Sequence, residues 1–159
     1  HAIMGLDTQL VEDGTHFVVE LDGRVAGCGG WSRRATLYGG DHSVGRDAGL
    51  LDPTRDPAKV RAMYTHPACT RRGVGRLVLS LCEAAAAAEG FMTLELMSTL
   101  SGQPLYEAAG FVPIEQVEDR TDLPEVADCC LGASTRRCRA AKFSTDPSGF
   151  GLVPPAVSA

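Results

Sequence analysis

The sequence predicts one mixed α/β domain, and two patterns carry the prediction. A strong hairpin signal covers Thr15–Trp31, and a strand, a long amphipathic helix and another strand follow one another between Lys59 and Met97. Runs that switch between strand and helix periodicity are typical of mixed folds. At 159 residues the chain is long enough to bury a core without disulfides or a structural metal.

The hairpin consists of two β-rich runs on either side of a turn. Thr15–Leu21 is the first predicted strand, Asp22-Gly23 is a typical hairpin turn, and Arg24–Trp31 is the second strand. The second strand contains several glycines, at Gly27, Gly29 and Gly30. Glycine inside a strand indicates a bulge or a close approach by another backbone. The irregular run Ser32–Pro57 is too long for a simple connector and is expected to border a functional site.

The centre of the predicted domain is a strand followed by a helix. Lys59–Thr65 is the predicted central strand, which His66-Pro67 ends. The helix is predicted over Gly73–Glu89, and Gly90 closes it. Its apolar residues recur at helical spacing and are expected to form core: Val74, Leu77, Val78, Leu81, Cys82 and Ala85.

Two strands and a short helix are predicted beyond the long helix. The strands are Thr93–Met97 and Phe111–Val117, and the short helix between them is Pro104–Ala109, which Gly110 stops. Pro113 predicts a break in the last strand or an edge position for it.

The run from Asp119 to Ala159 has weak hydrophobic periodicity. Thr121–Glu125 is compatible with the capped start of a helix that would continue through Cys129-Cys130 and Arg136-Arg137. Residues after about Ser144 are expected to be loose.

The composition narrows the classes of function and partner. A net charge of −5 argues against general nucleic-acid binding, which uses a basic face, and mildly favours an amine-bearing partner. No run is long enough for a membrane span and no signal-peptide pattern is visible, so a cytoplasmic protein is expected. The six cysteines show neither a C-x-x-C pair nor Cys/His ligand spacing, so reduced thiols and no metal site are expected.

The stretch from Tyr64 to Arg76 predicts a phosphate-binding turn. It combines a strand end, a tight turn and a helix start that contains Gly73 and Gly75. Such a turn leaves backbone N–H groups directed at one spot, where the helix dipole adds positive potential. Full positive charges around the same spot come from Arg71, Arg72 and Arg76.

Two common nucleotide-binding loops do not match this turn. A Walker loop requires Lys-Ser/Thr after its last glycine, where this chain has Arg76-Leu77. The dinucleotide fingerprint requires a third glycine at the position of Val78. An arginine-rich helix start without any ligand is the alternative that this segment alone leaves open.

Thr70–Gly75 resembles the acyl-CoA pyrophosphate loop of the GCN5-related N-acetyltransferase superfamily, whose pattern is Arg/Gln-x-x-Gly-x-Gly/Ala. Thr70 replaces the leading Arg/Gln, a departure that counts little because the contacts of this loop are mostly backbone amides. Downstream, the strand Leu94–Met97 and the segment Gln103–Phe111 resemble the superfamily's motif B, which ends in Leu-Tyr-Glu-x-x-Gly-Phe. With both motifs in the right order, the resemblance covers residues 7–117.

The resemblance implies a mostly antiparallel twisted sheet flanked by helices, with acetyl-CoA as co-substrate. It implies acetyl transfer to a small-molecule or peptide amine by direct attack, without a covalent enzyme intermediate. The pantetheine arm would run along Met63, Tyr64 and Thr65, paired through backbone hydrogen bonds as an added strand would be. The pyrophosphate would bind the loop residues Arg71, Arg72, Gly73, Val74, Gly75 and Arg76.

The resemblance also implies two residues that carry the chemistry. Tyr106 matches the motif B tyrosine, which protonates the departing thiolate, and a phenol suits this role because its pKa lies within about two units of that of an alkyl thiol. A structural tyrosine packed under the coenzyme is the alternative. Glu95 matches a strand carboxylate that some members use as general base, and a solvated or salt-bridged carboxylate is the alternative.

The acceptor side of the predicted site is less defined. Trp31, Arg33 and Arg34 are pocket candidates by position only, and His66 is expected to be a turn residue. Many family members carry an asparagine after the motif B strand, and this chain has none at Met97–Leu100. The sequence therefore names neither the amine nor the oligomeric state, and it leaves a homodimer open.

Both ends of the chain depart from the family. Members begin with a strand and two helices before the hairpin, whereas residues 1–14 precede it here, so the chain is expected to begin within the second helix. Members also add a strand where this chain has its weakly periodic end. The acetyltransferase domain is therefore expected over residues 1–118, and an irregular segment over residues 119–159. A non-catalytic acyl-CoA-binding domain and a truncated, inactive enzyme are the alternatives.

Overall fold

The computed structural model describes residues 7–37, 41, 47–118, 130–138 and 151–153. Its first two strands, β1 (His16–Leu21) and β2 (Arg24–Ser32), pair antiparallel and confirm the predicted hairpin. Asp22 and Gly23 between them have φ angles of 53° and 72°, the left-handed pair that a two-residue type I′ turn requires. A short helix, α1 (Thr8–Glu12), precedes the hairpin.

The predicted order of strand, helix and strand follows the hairpin. Strand β3 (Ala58–Thr65), helix α2 (Val74–Ala88) and strand β4 (Thr93–Ser98) form where the sequence predicts them. Gly90 has a φ of 93° and ends α2, as expected of a glycine just past a helix. β3 and β4 pair in parallel, because the helix between them carries the chain back along the sheet.

A shorter helix, α3 (Gln103–Ala108), is followed by strand β5 (Val112–Glu118). β5 lies at one edge of the sheet, and its pairing register shifts between Pro113 and Glu115. Both predicted consequences of this proline, the edge position and the break, are confirmed. They arise because proline lacks the N–H group that a ladder hydrogen bond needs.

The region after β5 differs from the sequence prediction. Cys130–Arg137 forms strand β6, so the helix predicted to pass through this segment is wrong. β6 pairs antiparallel with β4 on one side and with β5 on the other. Gly132 and the β-branched Thr135 both disfavour a helix, and two flanking strands outweigh a weak helical pattern. The predicted helix start at Thr121–Glu125 and residue Cys129 lie outside the described residues.

Strand β7 (Gly151–Val153) completes the sheet by pairing antiparallel with β1. These residues are therefore not loose, contrary to the expectation for the chain after Ser144. The sheet has the order β5-β6-β4-β3-β2-β1-β7, and β3–β4 is its parallel pair. This arrangement confirms the predicted mixed α/β class with a mostly antiparallel sheet.

Helices α1 and α2 lie on opposite faces of the sheet. A Cβ atom added to Gly29 of β2 would lie 2.8 Å from Cγ1 of Val78 in α2. A Cβ added to Gly30 would instead lie 3.1 Å from Cδ1 of Leu10 in α1. These contacts confirm the close approach that the glycines predict. They also define an α1 face and an α2 face, since successive strand residues point to opposite sides.

The main core lies between the sheet and α2. The fully buried residues of α2 are Val74, Val78, Leu79, Cys82 and Ala86. Val74, Val78 and Cys82 belong to the apolar stripe that the sequence predicts, and the other members of the stripe are only partly buried. The prediction of the helix is confirmed, and its buried face is turned slightly from the predicted one.

Arg136 of β6 joins three elements at one end of this core. Its guanidinium pairs with Glu83 of α2, donates a hydrogen bond to the carbonyl oxygen of Ala109 after α3, and lies 5.5 Å from the centre of the Phe111 ring. The charged side chains of Arg136 and Glu83 are only 10% and 13% exposed. A buried ion pair of this kind depends on both partners, because either charge alone would be poorly solvated.

Arg136→Met should lower the free energy of unfolding by roughly 3–5 kcal/mol, because it removes the cation that the buried Glu83 carboxylate faces. Arg137→Met is the matched control, since Arg137 is exposed on the same strand. The control should change stability by less than about 0.5 kcal/mol. Urea denaturation of the two variants checks the prediction. Equal losses in both would show that the contacts of Arg136 contribute nothing specific.

Candidate active site

A split between β3 and β4 is the first feature of the candidate site. The two strands pair along Ala58–Val60 and Leu94–Leu96, and no further pair joins them in the part of the chain that the structure describes. Beyond Val60, β2 is the one strand among the described residues that pairs with β3. From Arg61 to Thr65, the edge of β3 that faces β4 is therefore open to an extended ligand, which could bind as an added strand does.

A bulge in β3 shapes this open edge. Ala62 has a φ of 52°, and the register between β2 and β3 shifts opposite it. A positive φ is uncommon for alanine and marks a locally constrained backbone. Past the bulge, Met63 points to the α2 face, where its Sδ lies 2.5 Å from the Cβ position of Gly29. Met63, Tyr64 and Thr65 thus lie along the open edge, and their contact with a pantetheine arm stays a prediction.

The predicted phosphate-binding turn lies at the end of the same strand. It begins with a 3-10 turn over Pro67–Cys69, in which Nδ1 of His66 accepts a hydrogen bond from the N–H of Ala68 at 3.2 Å. His66 is therefore a turn residue, as expected. Arg71 and Gly73 have φ angles of 63° and 86°, and α2 begins at the residue after Gly73.

The turn has the properties of an anion site. Within the described structure, no backbone carbonyl accepts a hydrogen bond of good geometry from the N–H groups of Arg71 to Arg76. The side chains of Arg71, Arg72 and Arg76 are exposed, whereas Val74 is buried and offers only its backbone. N–H groups at a helix start, the helix dipole and nearby guanidinium groups all favour a phosphate or pyrophosphate.

Gly75 brings the turn into contact with α3, the helix of the motif B segment. A Cβ on Gly75 would lie 2.9 Å from Cδ2 of Leu105, so glycine allows α3 to pack against the first turn of α2. The neighbouring Tyr106 is 8% exposed, and its ring lies edge-on to Phe111 with the ring centres 5.9 Å apart. Burial raises the pKa of Tyr106 to about 12. The buried phenol is therefore a weaker acid than a free tyrosine. Its pKa lies further above that of an alkyl thiol than the ordinary tyrosine pKa does.

Glu95 lies on the α1 face and pairs with the ammonium group of Lys59. The strand register causes this contact, because the two residues are directly opposite each other, one pair before the split. The salt-bridged alternative is thus what the structure shows, and a role for Glu95 as general base stays a prediction. The sequence did not indicate that Lys59 and Arg61 lie near the site. The periodicity of one strand does not reveal its register against a distant strand.

The three positional candidates have different environments. Trp31 is 1% exposed and packed in the core, so its prediction as a pocket residue is wrong. Arg33 lies 5.2 Å from the centre of the Trp31 ring and pairs with Glu89 at the end of α2. Arg34 lines a cavity on the α1 face. Of the three, Arg34 is the one that lines this cavity.

No helix among the described residues is long and apolar enough to cross a membrane. In the same part of the chain, no group of three or more His, Cys, Asp and Glu side chains is arranged to hold a metal ion. Burial raises the pKa of the Cys82 thiol, which disfavours the nucleophilic thiolate.

The fold and the site define a mixed α/β domain in which an open strand edge leads to a helix start with exposed arginine side chains. A family model described as an acetyltransferase (GNAT) domain matches residues 12–113. The chain therefore belongs to the GNAT acetyltransferase family, as the two sequence motifs predict. A comparison with curated proteins gives no match.

Solved structures of acetyltransferases share the fold. N-acetylglutamate synthase from Neisseria gonorrhoeae, complexed with coenzyme A and N-acetyl-glutamate, has a TM-score of 0.57 at 17% identity, over 87% of this chain and 30% of the synthase. A GNAT-family acetyltransferase from Bacillus cereus has a TM-score of 0.56 at 14% identity, over 83% of this chain and 76% of its own. The ribosomal-protein-S18-alanine N-acetyltransferase from Escherichia coli has a TM-score of 0.53 at 15% identity, over 79% of this chain and 71% of its own. At these identities the likeness shows the fold alone.

Proposed function

We propose that the chain is an N-acetyltransferase that moves the acetyl group of acetyl-CoA to a primary amine by direct attack. One observation carries the proposal: the open edge of β3, from Arg61 to Thr65, leads through a short turn into the N–H groups of Arg71–Arg76. A ligand with a pyrophosphate at one end and an amide-bearing arm at the other fits this path. Acetyl-CoA is such a ligand, and its thioester would reach the split.

Tyr106 is the general acid that protonates the leaving group in this proposal. When the amine attacks the thioester carbonyl, the carbon–sulfur bond breaks and its electron pair stays on sulfur, which needs a proton. Tyr106 donates a hydrogen bond and then its proton to that sulfur. Its raised pKa of about 12 keeps the phenol protonated at neutral pH. The contact of its neighbour Leu105 with Gly75 supports a position of α3 beside the coenzyme path.

Glu95 is the general base in this proposal, because the attacking amine must lose a proton. It lies one pair before the split, on the α1 face, and Lys59 fixes its carboxylate in position. The coenzyme path starts from the turn before α2, and the acceptor would approach from the opposite face of the sheet. The two substrates would then meet at the split without obstructing each other.

A non-catalytic acyl-CoA-binding domain is the second candidate, and the Lys59–Glu95 pair favours it. A carboxylate that already contacts an ammonium group can accept a proton from a substrate only when the pair opens. Incubation with acetyl-CoA and a library of amines, followed by mass spectrometry, separates the two candidates. We expect at least one acetylated amine. Coenzyme A binding without any acetylated product would support the second candidate instead.

A further inference from the structure

The way α3 ends determines where the side chain of Tyr106 lies. The N–H of Phe111 donates a hydrogen bond to the carbonyl oxygen of Tyr106 at 2.9 Å, and the N–H of Gly110 donates one to that of Glu107, also at 2.9 Å. Gly110 has a φ of 88°. These are the two hydrogen bonds and the left-handed glycine of a Schellman motif, which an apolar contact across the longer bond accompanies. Here that contact is the edge-on pair of the Tyr106 and Phe111 rings.

Arg136 of β6 binds this helix end from the sheet. Its Nη1 donates a hydrogen bond to the carbonyl oxygen of Ala109, the residue that follows α3. Carbonyl groups at a helix end have no partner within the helix, so a donor from outside is needed there. The same guanidinium group lies 5.5 Å from the centre of the Phe111 ring, a cation–π contact. One side chain thus holds both the backbone of the helix end and the ring that packs against Tyr106.

Helix α2 holds α3 at two separate points. Near the start of α3, Leu105 packs against Gly75. At the end of α3, Arg136 connects the chain to Glu83 of α2, with which its Nη2 forms the buried ion pair. Gly75 and Glu83 are about 12 Å apart along the axis of α2, at a rise of about 1.5 Å per residue. Two contacts so far apart prevent the short helix from turning about either one.

Proton transfer requires a precisely placed acid. A general acid must lie within about 2.6–3.2 Å of the atom that it protonates, and a displacement of about 1 Å can lower the rate about 10²-fold. Tyr106 is buried, so the packing around α3 determines the position of its hydroxyl group. The contacts that fix the end of α3 therefore bear on the rate as well as on stability.

We propose that Arg136 is a positioning residue for acetyl transfer. It holds the end of α3 and the Phe111 ring in the arrangement that brings the hydroxyl group of Tyr106 to the departing sulfur. This inference rests on the proposed function, in which Tyr106 is the general acid. Arg136 acts through Phe111 and Tyr106 and not on the substrates themselves.

Replacing Arg136 by lysine tests this role. Lysine keeps a cation for Glu83 but lacks the planar fork that reaches both this carboxylate and the carbonyl of Ala109. We expect kcat to fall about 10-fold, with KM for acetyl-CoA within about twofold of normal. Arg137→Lys is the matched control, because Arg137 is exposed on the same strand, and it should leave both constants unchanged. Urea denaturation shows whether both variants are folded under the assay conditions.

A double-mutant cycle shows whether Arg136 acts through Tyr106. In a Tyr106→Phe background, Arg136→Lys should cause no further fall in kcat, because the group that it positions is absent. An equal fall in both backgrounds would indicate a general structural effect and overturn the proposal, as would a normal kcat in Arg136→Lys alone. If the lysine variant does not fold, Arg136→Gln with Glu83→Gln, which removes both charges together, replaces it in the cycle with the same expected results.

Hydrogen exchange separates a failure of this inference from a failure of the proposed function. If the unaltered chain acetylates no amine, the proposed function fails, and exchange decides whether Arg136 fixes the helix end. The N–H groups of Gly110 and Phe111 should then exchange about 10-fold or more faster in Arg136→Lys, with exchange at Val78 in the middle of α2 unchanged. Unchanged exchange at Gly110 and Phe111 would overturn the inference.

Discussion

Replacing Gly73 by glutamate should abolish measurable coenzyme A binding. Gly73 stands at the start of α2 with a φ of 86°, and a Cβ placed on it would meet no atom within 4 Å from the described residues beyond its immediate neighbours. A side chain there would begin in open space, at the helix start whose N–H groups form the proposed phosphate site. A carboxylate in that space would occupy the anion site and repel a pyrophosphate, since like charges at close range cost several kcal/mol away from bulk water.

Gly73→Ala is the matched control for this result. It adds the same Cβ at the same positive φ, which costs about 1 kcal/mol of stability, but it adds no charge. We expect it to weaken coenzyme A binding by less than about 10-fold. Calorimetry on both variants measures the difference. Unchanged affinity in Gly73→Glu would refute the turn as the phosphate site, and equal losses in both variants would attribute the effect to backbone strain.

Tyr106→Phe should lower turnover by about 10²-fold or more while leaving the affinity for acetyl-CoA nearly unchanged, the scale expected for a positioned acid. The phenylalanine ring would keep the edge-on contact with Phe111, so packing should be preserved. A structural tyrosine predicts the reverse, with altered stability or affinity and little selective loss of rate. Tyr64→Phe is the control, because the predicted contact of Tyr64 with the coenzyme is through its backbone, and the exposed hydroxyl that the change removes should not affect turnover.

The pH dependence of the rate tests the same residue independently. Because burial raises the pKa of Tyr106 to about 12, the phenol loses its proton only as the pH approaches that value. Ionisation of Tyr106 should therefore cause no fall in kcat between neutral pH and pH values well above the ordinary phenol range. A basic limb near the ordinary tyrosine pKa of about 10 that disappears in Tyr106→Phe would contradict the buried environment.

The features that the sequence predicted correctly are those that neighbouring residues determine. Asp22-Gly23 supplies the two left-handed residues of the hairpin turn, so the turn needs no information from elsewhere in the chain. The apolar spacing of Val74–Ala88 likewise predicts α2, and Gly90 predicts its end. The geometry of the turn before α2 is also local, because its N–H groups belong to one helix start, and its binding of a phosphate stays a prediction.

The features that could not be predicted from the sequence depend on contacts between distant segments. β6 forms because β4 and β5 pair with it on either side, and neither partner is near Cys130–Arg137 in the sequence. The Lys59–Glu95 pair follows from the register of two parallel strands, which local periodicity does not contain. The cavity arises in the same way, because Asp7 before α1 meets Arg61 in the middle of β3.

Amine-dependent release of free coenzyme A thiol from acetyl-CoA is the most direct test of acetyl transfer by this chain. The chain should release thiol at a rate that rises with amine concentration and saturates, and Gly73→Glu should release none above background. Because the variant has the same core and differs at an exposed turn, it is the appropriate negative control. Tight binding of acetyl-CoA without any amine-dependent release of thiol would contradict the assignment as an acetyltransferase and identify a binding domain.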